Sequence, residues 1–190
     1  MNRNRNIRFS QKKKNGGWTL IEIVIAIVIA GILTGGIYNL YSNWQKNKKT
    51  DDILAIVNKS FDALPKMKTT YGSYDGLGNA YVYTSERIVL STVKSPTANQ
   101  FVTPFSTNGL TYDSVDSATL KNGRVLSGTD QFASIIVSDV EGALCQDIVE
   151  GMFARIDEIR VGSTRVATAP AITTACAAAG TSINITFINN

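Results

Sequence analysis

The sequence predicts an α+β protein in which a long N-terminal helix packs against an antiparallel sheet. No side chain between Ile23 and Gln45 is charged. Beyond residue 45, apolar residues recur at steps of three and four, which is typical of an amphipathic helix. The rest of the chain contains apolar runs separated by turn residues, which predict strands. Strands gathered after a long helix are typical of the α+β class.

The first 17 residues are strongly basic. They contain six of the 19 Lys and Arg residues and no acid, which leaves 13 basic and 15 acidic residues after them. The net charge of +4 therefore belongs to this leader. The remaining chain lacks the basic patch expected of a nucleic-acid-binding domain. The six cations are Arg3, Arg5, Arg8, Lys12, Lys13 and Lys14.

The uncharged run predicts a membrane-spanning helix. At a rise of 1.5 Å per residue, the segment from Ile23 to Gln45 extends over about 35 Å, which exceeds the hydrocarbon core of roughly 30 Å. The upstream cations predict a cytoplasmic N-terminus and an exported remainder. A cleaved secretory signal is the main alternative, although the run is longer than such signals need and no A-x-A site closes it.

Glu22 stands at the start of this apolar run. An unpaired acid costs on the order of 2–3 kcal/mol near the bilayer centre, and less near the interface. One interpretation is an acid at the membrane edge. The other is a functional carboxylate that needs a cationic partner.

The second half of the helix is predicted to pack under a sheet. Pro65 predicts an end or a kink near Leu64, so that one helix has some 45–50 residues. Two helices broken near Gly35-Gly36 remain an alternative. Gly31 and Gly35 have the spacing that allows close helix packing. The predicted buried stripe is Ile53, Ile56, Val57, Phe61 and Leu64.

The middle of the chain contains turn signals and short elements. Residues 69–79 are rich in Gly, Ser, Asp and Asn and predict a loop. For Ala80–Val93 we favour a short helix over a strand. The dipeptides Asn108-Gly109 and Asn122-Gly123 predict an early hairpin or two short strands.

The C-terminal part alternates between strands and one helix. Asp139 is placed to cap a helix from about Val140 to Ala154, which buries Leu144, Ile148 and Met152. The predicted strands are Phe132–Val137, Ile156–Val161, Thr164–Ala167 and Ile183–Ile188, with a turn at Gly162.

Residue usage argues against catalysis. The chain has no histidine, which removes the Ser-His-Asp triad and the commonest metal ligand. The two cysteines, Cys145 and Cys176, are too few for a zinc site and predict a disulfide if the domain is exported; otherwise they are unrelated thiols. Pairs such as Asp157-Glu158 are expected to be solvated. Carboxylates near Asp113 and Asp116 lack the spacing of a calcium loop. We therefore predict no catalytic residue, metal or cofactor.

The run Lys12-Lys13-Lys14-Asn15-Gly16-Gly17-Trp18-Thr19-Leu20-Ile21-Glu22, followed by an apolar helix, resembles the class III signal of type IV prepilins. The resemblance implies that prepilin peptidase cuts after Gly17 and that the new amine of Trp18 is methylated. Glu22 then falls at the fifth position, where the family has an invariant glutamate that pairs with the amine of a neighbouring subunit. The 17-residue leader and the bulky first residue resemble the type IVb branch, including conjugative thin-pilus pilins.

The resemblance also implies a fold, a function and partners. The fold would be the type IV pilin α/β-roll, with residues 1–17 as leader, 18–45 as the transmembrane and polymerisation half of the helix, and 46–190 as a globular domain. A disulfide between Cys145 and Cys176 would bound its C-terminal region.

The chain would be made in the bacterial inner membrane and would polymerise with copies of itself into an extracellular pilus. Its partners would be prepilin peptidase and the assembly machinery of the inner membrane. Adhesion, aggregation or conjugative transfer would follow, with the Ser/Thr/Ala/Gly-rich stretch Gly162–Ser182 as an exposed contact surface. The alternatives are a minor pilin or type II secretion pseudopilin and, third, a membrane-tethered binding protein.

Overall fold

The computed structural model describes residues 19–190, which divide into a compact unit up to Asn43 and a second one from Trp44 to Asn190, here called the head. A 3-10 turn at Ser91–Val93 accompanies four helices and five strands in the described part. The helices are α1 Leu20–Tyr71, α2 Asn79–Thr84, α3 Gly142–Phe153 and α4 Ala169–Ala177. The strands are β1 Leu110–Thr119, β2 Val125–Glu141, β3 Glu158–Val161, β4 Thr164–Val166 and β5 Ser182–Asn189.

The part of α1 in the first unit is apolar and exposed. It runs unbroken through Gly35-Gly36, so the alternative of two helices broken there is wrong. It is long and apolar enough to cross a membrane by length and composition. None of its most apolar 18-residue window is buried. Those side chains therefore have no partner within the described chain that could remove them from water.

The part of α1 in the head lies on the sheet. Ile53, Val57, Phe61 and Leu64 are buried in one core cluster with side chains of the strands, which confirms the predicted stripe. Ile56 is only partly buried. A hydrogen bond of 2.9 Å joins Ser60 Oγ to the hydroxyl of Tyr112 on β1, and because Ser60 donates its own proton to a helix carbonyl, Tyr112 is the donor.

The prediction that α1 ends near Leu64 is wrong. Pro65 lies inside the helix, on its exposed side, and the helix continues to Tyr71. Although Pro65 has no N–H to donate, Met67 in the following turn is buried in the core, which holds the helix together. The helix ends at Gly72, whose φ of 80° is the left-handed conformation that terminates helices. Its N–H donates to the Lys68 carbonyl at 2.7 Å.

The sheet is antiparallel, with the strand order β1-β2-β5-β3-β4. The Asn122-Gly123 turn joins β1 to β2 as predicted, and Gly123 takes a φ of 87° there. Asn108-Gly109 precedes β1 without forming a hairpin, and the two strands are long rather than short, with 10 and 17 residues. Successive side chains of each strand point to opposite faces of the sheet. The side chains on the face that α1 covers belong to the main core cluster.

Two further predictions are confirmed and one is wrong. A short helix, α2, follows the loop, and β3, Gly162 and β4 form the predicted strand–turn–strand. Asp139 does not cap α3. It lies in an irregularity of β2 with a φ of 59°, and Glu141 occupies the N-cap position. The one extra residue of the bulge changes the strand register just before the chain turns into α3.

Candidate functional site

The N-terminus of α1 contains Glu22 in a reciprocal capping arrangement. The Thr19 N–H and the Thr19 hydroxyl both donate to Oε2 of Glu22, at 2.8 and 2.9 Å. In return, the Glu22 N–H lies 3.4 Å from the Thr19 hydroxyl oxygen. This is the capping box S/T-x-x-E, which satisfies backbone donors that have no partner in the first helical turn.

The cap gives Glu22 a role that the sequence prediction missed, although the spacing Thr19-x-x-Glu22 was a readable signal. A carboxylate at a helix N-terminus is also favoured by the helix dipole. Only Oε2 is used, because Oε1 makes no hydrogen bond to any residue that the structure describes. The geometry can therefore hold the helix start and still offer one carboxylate oxygen to an external cation.

The predicted cleavage and methylation residues, Gly17 and Trp18, lie outside the described residues. The described chain starts at Thr19, one residue beyond the predicted new terminus, and its first helical residue is Leu20. If cleavage occurs after Gly17, the new amine belongs to the residue directly before the cap.

The apolar surface of the first unit begins beside this cap. Large apolar side chains from Leu20 to Tyr41 are roughly half to four-fifths exposed. Around Gly31 and Gly35 no heavy atom lies within 4 Å of where a Cβ would be, so the glycine surface is open. An exposed surface of this extent is typical of a site that contacts lipid or other protein. The close-packing role of the two glycines stays a prediction.

A disulfide joins Cys145 on α3 to Cys176 on α4, with the two Cα atoms 5.6 Å apart. It closes a segment that contains most of α3, β3, β4 and most of α4. The stretch expected to be exposed, Gly162–Ser182, is exposed at 13 of its 21 positions, and four are buried, three of them (Ile172, Ala175 and Cys176) in α4. The bridge joins two helices that pack together, and both of its cysteines are buried.

The carboxylates of Asp113 and Asp116 on β1 do not form a metal site. Among the described residues, no group of three or more acids, cysteines or histidines could hold a metal ion. Asp116 accepts a hydrogen bond from the Asp130 N–H at 2.9 Å, and Asp113 accepts one from the Ser114 N–H. Both carboxylates thus support the irregular β1–β2 edge.

The prediction that Glu158 is solvated is wrong. Its side chain is fully buried and accepts a hydrogen bond from Arg160 Nε at 2.6 Å. It also accepts one from the backbone N–H of Thr119 at the end of β1. A buried carboxylate needs such donors, so Glu158 fastens the hairpin end to β3.

The comparisons with known proteins agree with the N-terminal geometry. Residues 12–38 match the family model described as the prokaryotic N-terminal methylation motif. No curated protein matches the chain. The motif implies processing by prepilin peptidase and assembly into a pilus, and the apolar helix fits a membrane-anchored precursor. The motif, the helix-on-sheet architecture and the C-terminal disulfide together support a type IV pilin-like or pseudopilin-like protein.

Proposed function

We propose that this chain is the precursor of a structural subunit of an extracellular type IV pilus. Prepilin peptidase cuts after Gly17, the amine of Trp18 is methylated, and the subunits polymerise through their apolar helices. One observation carries the proposal: the methylation motif at residues 12–38 coincides with a capped Glu22 at the start of an exposed apolar helix. On this proposal 1–17 is the leader, 18–45 the polymerisation segment and 46–190 the globular domain.

Assembly uses the charge of Glu22. Cleavage creates a cation at Trp18, and Oε1 of a neighbouring subunit's Glu22 is the acceptor that the cap leaves open. In a low-dielectric filament core, a paired charge is strongly favoured over a lone one. Pairing therefore penalises an unassembled subunit and fixes the stagger between neighbouring helices.

The proposed subunit belongs to the type IVb branch, on the strength of its 17-residue leader and the bulky Trp18. It starts in the bacterial inner membrane, contacts the assembly machinery there, and ends in the pilus with copies of itself. Adhesion, aggregation or conjugative transfer are the functions such a filament serves. A minor pilin or type II secretion pseudopilin is the second candidate, because the same motif serves all three.

The decisive measurement is the intact mass of material sheared from cells, before and after reduction. A processed pilin begins at methylated Trp18 and gains two hydrogens when its one disulfide is reduced. Processed chain found only in membranes favours the pseudopilin. Gly17→Ala should block cleavage and abolish filaments. Sheared filaments built from chains with the leader still attached would refute the proposal, and a membrane-tethered binding protein would be indifferent to Gly17→Ala.

Two pairs of variants separate charge from capping. Glu22→Gln keeps an oxygen that can accept the Thr19 bonds but removes the charge, whereas Glu22→Ala removes both. Thr19→Ser keeps the capping hydroxyl and Thr19→Ala loses it, at about 1 kcal/mol of helix stability. We expect both Glu22 variants to be processed yet to form few filaments, and Thr19→Ser to assemble normally. Asp51→Asn, an exposed acid on the same helix, is the control. Normal filaments from Glu22→Gln would show that capping alone is required.

A further inference from the structure

The head contains a cavity between the outer side of α1 and the segment that follows α2. Its volume is about 630 Å³, within the range of 300–1,000 Å³ typical of small-molecule sites. Six lining residues of α1 are spaced by one, three or four positions, so they share one side of the helix. The opposite wall consists of Tyr81 and residues 85–88. Every lining residue belongs to the head.

The charge around this cavity is opposite to that of the chain as a whole. Lys59, Lys66 and Arg87 line it together with a single acid, Glu86. Residues 18–190 carry 13 basic and 15 acidic side chains, so a net positive site stands out. Lys59 and Arg87 take part in none of the three salt bridges in the described part of the chain. Their N–H donors are therefore available to an anionic group, which they bind more strongly than a neutral one.

The uncharged lining suits a flat ring that carries hydroxyl groups. Met67 and Ile88 are buried at the base, and Tyr71 at the rim is 67% exposed, so one face of its ring is accessible. The negative face of an aromatic ring attracts the C–H groups of a sugar ring. Tyr81 and Ser85 add hydroxyl groups that can donate or accept hydrogen bonds.

We infer that this cavity binds a saccharide that bears a carboxylate. The carboxylate pairs with Lys59 and Arg87, the ring stacks on Tyr71, and the sugar hydroxyls bond to the polar lining. A nucleic-acid strand fits less well, because it requires an extended basic track and exposed aromatic side chains in series. The cations here are gathered at one cavity of a chain whose body is net negative.

The test is calorimetric titration of the full processed chain in detergent. The probes are trigalacturonic acid, whose uncharged partner is the methyl-esterified trimer of the same length, and sialyllactose, whose uncharged partner is the lactose that remains without the sialic acid. At least one of the two acidic sugars should bind at least about tenfold more tightly than its own uncharged partner. Added salt should weaken the binding of the acidic sugar.

The variants assign the binding to this cavity. Lys59→Gln and Arg87→Gln should each weaken binding about tenfold, and Tyr71→Ala, at an exposed position, should also weaken it. Lys46→Gln and Arg124→Gln, at exposed positions outside the cavity, are the matched controls and should leave binding unchanged. Binding to neither acidic sugar, equal binding to the uncharged partners, equal losses in the controls, or tighter binding of an oligothymidylate would each overturn the inference.

The inference does not depend on polymerisation. Glu22→Gln lies outside the head and should bind the acidic sugar like the unaltered chain, even where it forms no filaments. Loss of binding in Glu22→Gln would count against the cavity as an independent site. Failure of assembly and failure of this site are therefore distinguishable.

Discussion

Gly142, the first residue of α3, offers a sharp test of how tightly the start of α3 packs against the turn between α4 and β5. A Cβ at this position would lie 2.1 Å from the carbonyl oxygen of Gly180 and 3.2 Å from its carbonyl carbon. Ordinary van der Waals contact begins at 3.4 Å, so the backbone would have to separate by about 1.3 Å. The Gly142 N–H also donates to the Thr181 carbonyl at 3.2 Å, directly before β5 begins.

The expected cost of Gly142→Ala follows from these contacts. Overpacking against a backbone atom costs about 1–3 kcal/mol. Weakening the bond to Thr181 adds about 1 kcal/mol. The better helix propensity of alanine returns up to about 1 kcal/mol. The free energy of unfolding should therefore fall by about 2–3 kcal/mol.

Thermal unfolding of a fragment of residues 44–190, followed by circular dichroism, measures this effect. For a domain of this size, each kcal/mol lowers Tm by about 2–4 °C, so Gly142→Ala should lower it by about 4–12 °C. Gly78→Ala is the matched control, because Gly78 has an extended φ of −172° and no heavy atom within 4 Å of its added Cβ. A Tm for Gly142→Ala within about 1 °C of that control would refute the close approach.

Two further predictions concern the same fragment. Reduction of the bridge between Cys145 and Cys176, which are 31 positions apart, should lower the free energy of unfolding by about 3.7 kcal/mol and Tm by about 7–15 °C. The Cys145→Ala/Cys176→Ala double variant should unfold at a Tm that reductant does not change, and a Tm shift with reductant there would contradict this cause. Burial raises the pKa of the Tyr112 phenol, so the unfolded chain releases that proton first as pH rises. Stability should be complete below about pH 10 and should then fall by about 1.4 kcal/mol per pH unit, whereas Tyr112→Phe should show a flatter decline in urea titrations.

Patterns of several residues predicted the helical and hairpin elements well. The stripe from Ile53 to Leu64 repeats over about three turns, so its buried side was readable without any tertiary contact. Asn122-Gly123 specified a hairpin because glycine adopts a positive φ at low cost, as Gly123 does in this turn. The motif matched at residues 12–38 was recognisable from the sequence alone, whereas the cleavage after Gly17 and the assembly role of Glu22 stay predictions.

The errors fall where distant contacts decide the local structure. α4 was missed because a stretch rich in Ala, Thr and Gly resembles a loop until Cys176 and Ile172 are buried against α3. Asp139 resembles a helix cap in sequence, but the pairing of β2 with β5 places it in a bulge. Glu158 resembles a solvated charge because its burial depends on β1, where the N–H of Thr119, some forty positions earlier, donates to it. Only its second donor, Arg160, is a neighbour in sequence.

The two edge strands of the sheet, β1 and β4, determine whether the sheets of neighbouring heads can pair with each other. β4 is only three residues long, and the other edge, β1, carries the exposed Asp113 and Asp116 beside a register shift. Short, charged or irregular edges resist pairing with strands of another molecule. In the proposed filament, where the local concentration of heads would be very high, such edges would keep the heads separate folded bodies. Polymerisation would then be confined to the helix, and the sheet would be protected from amyloid-like stacking.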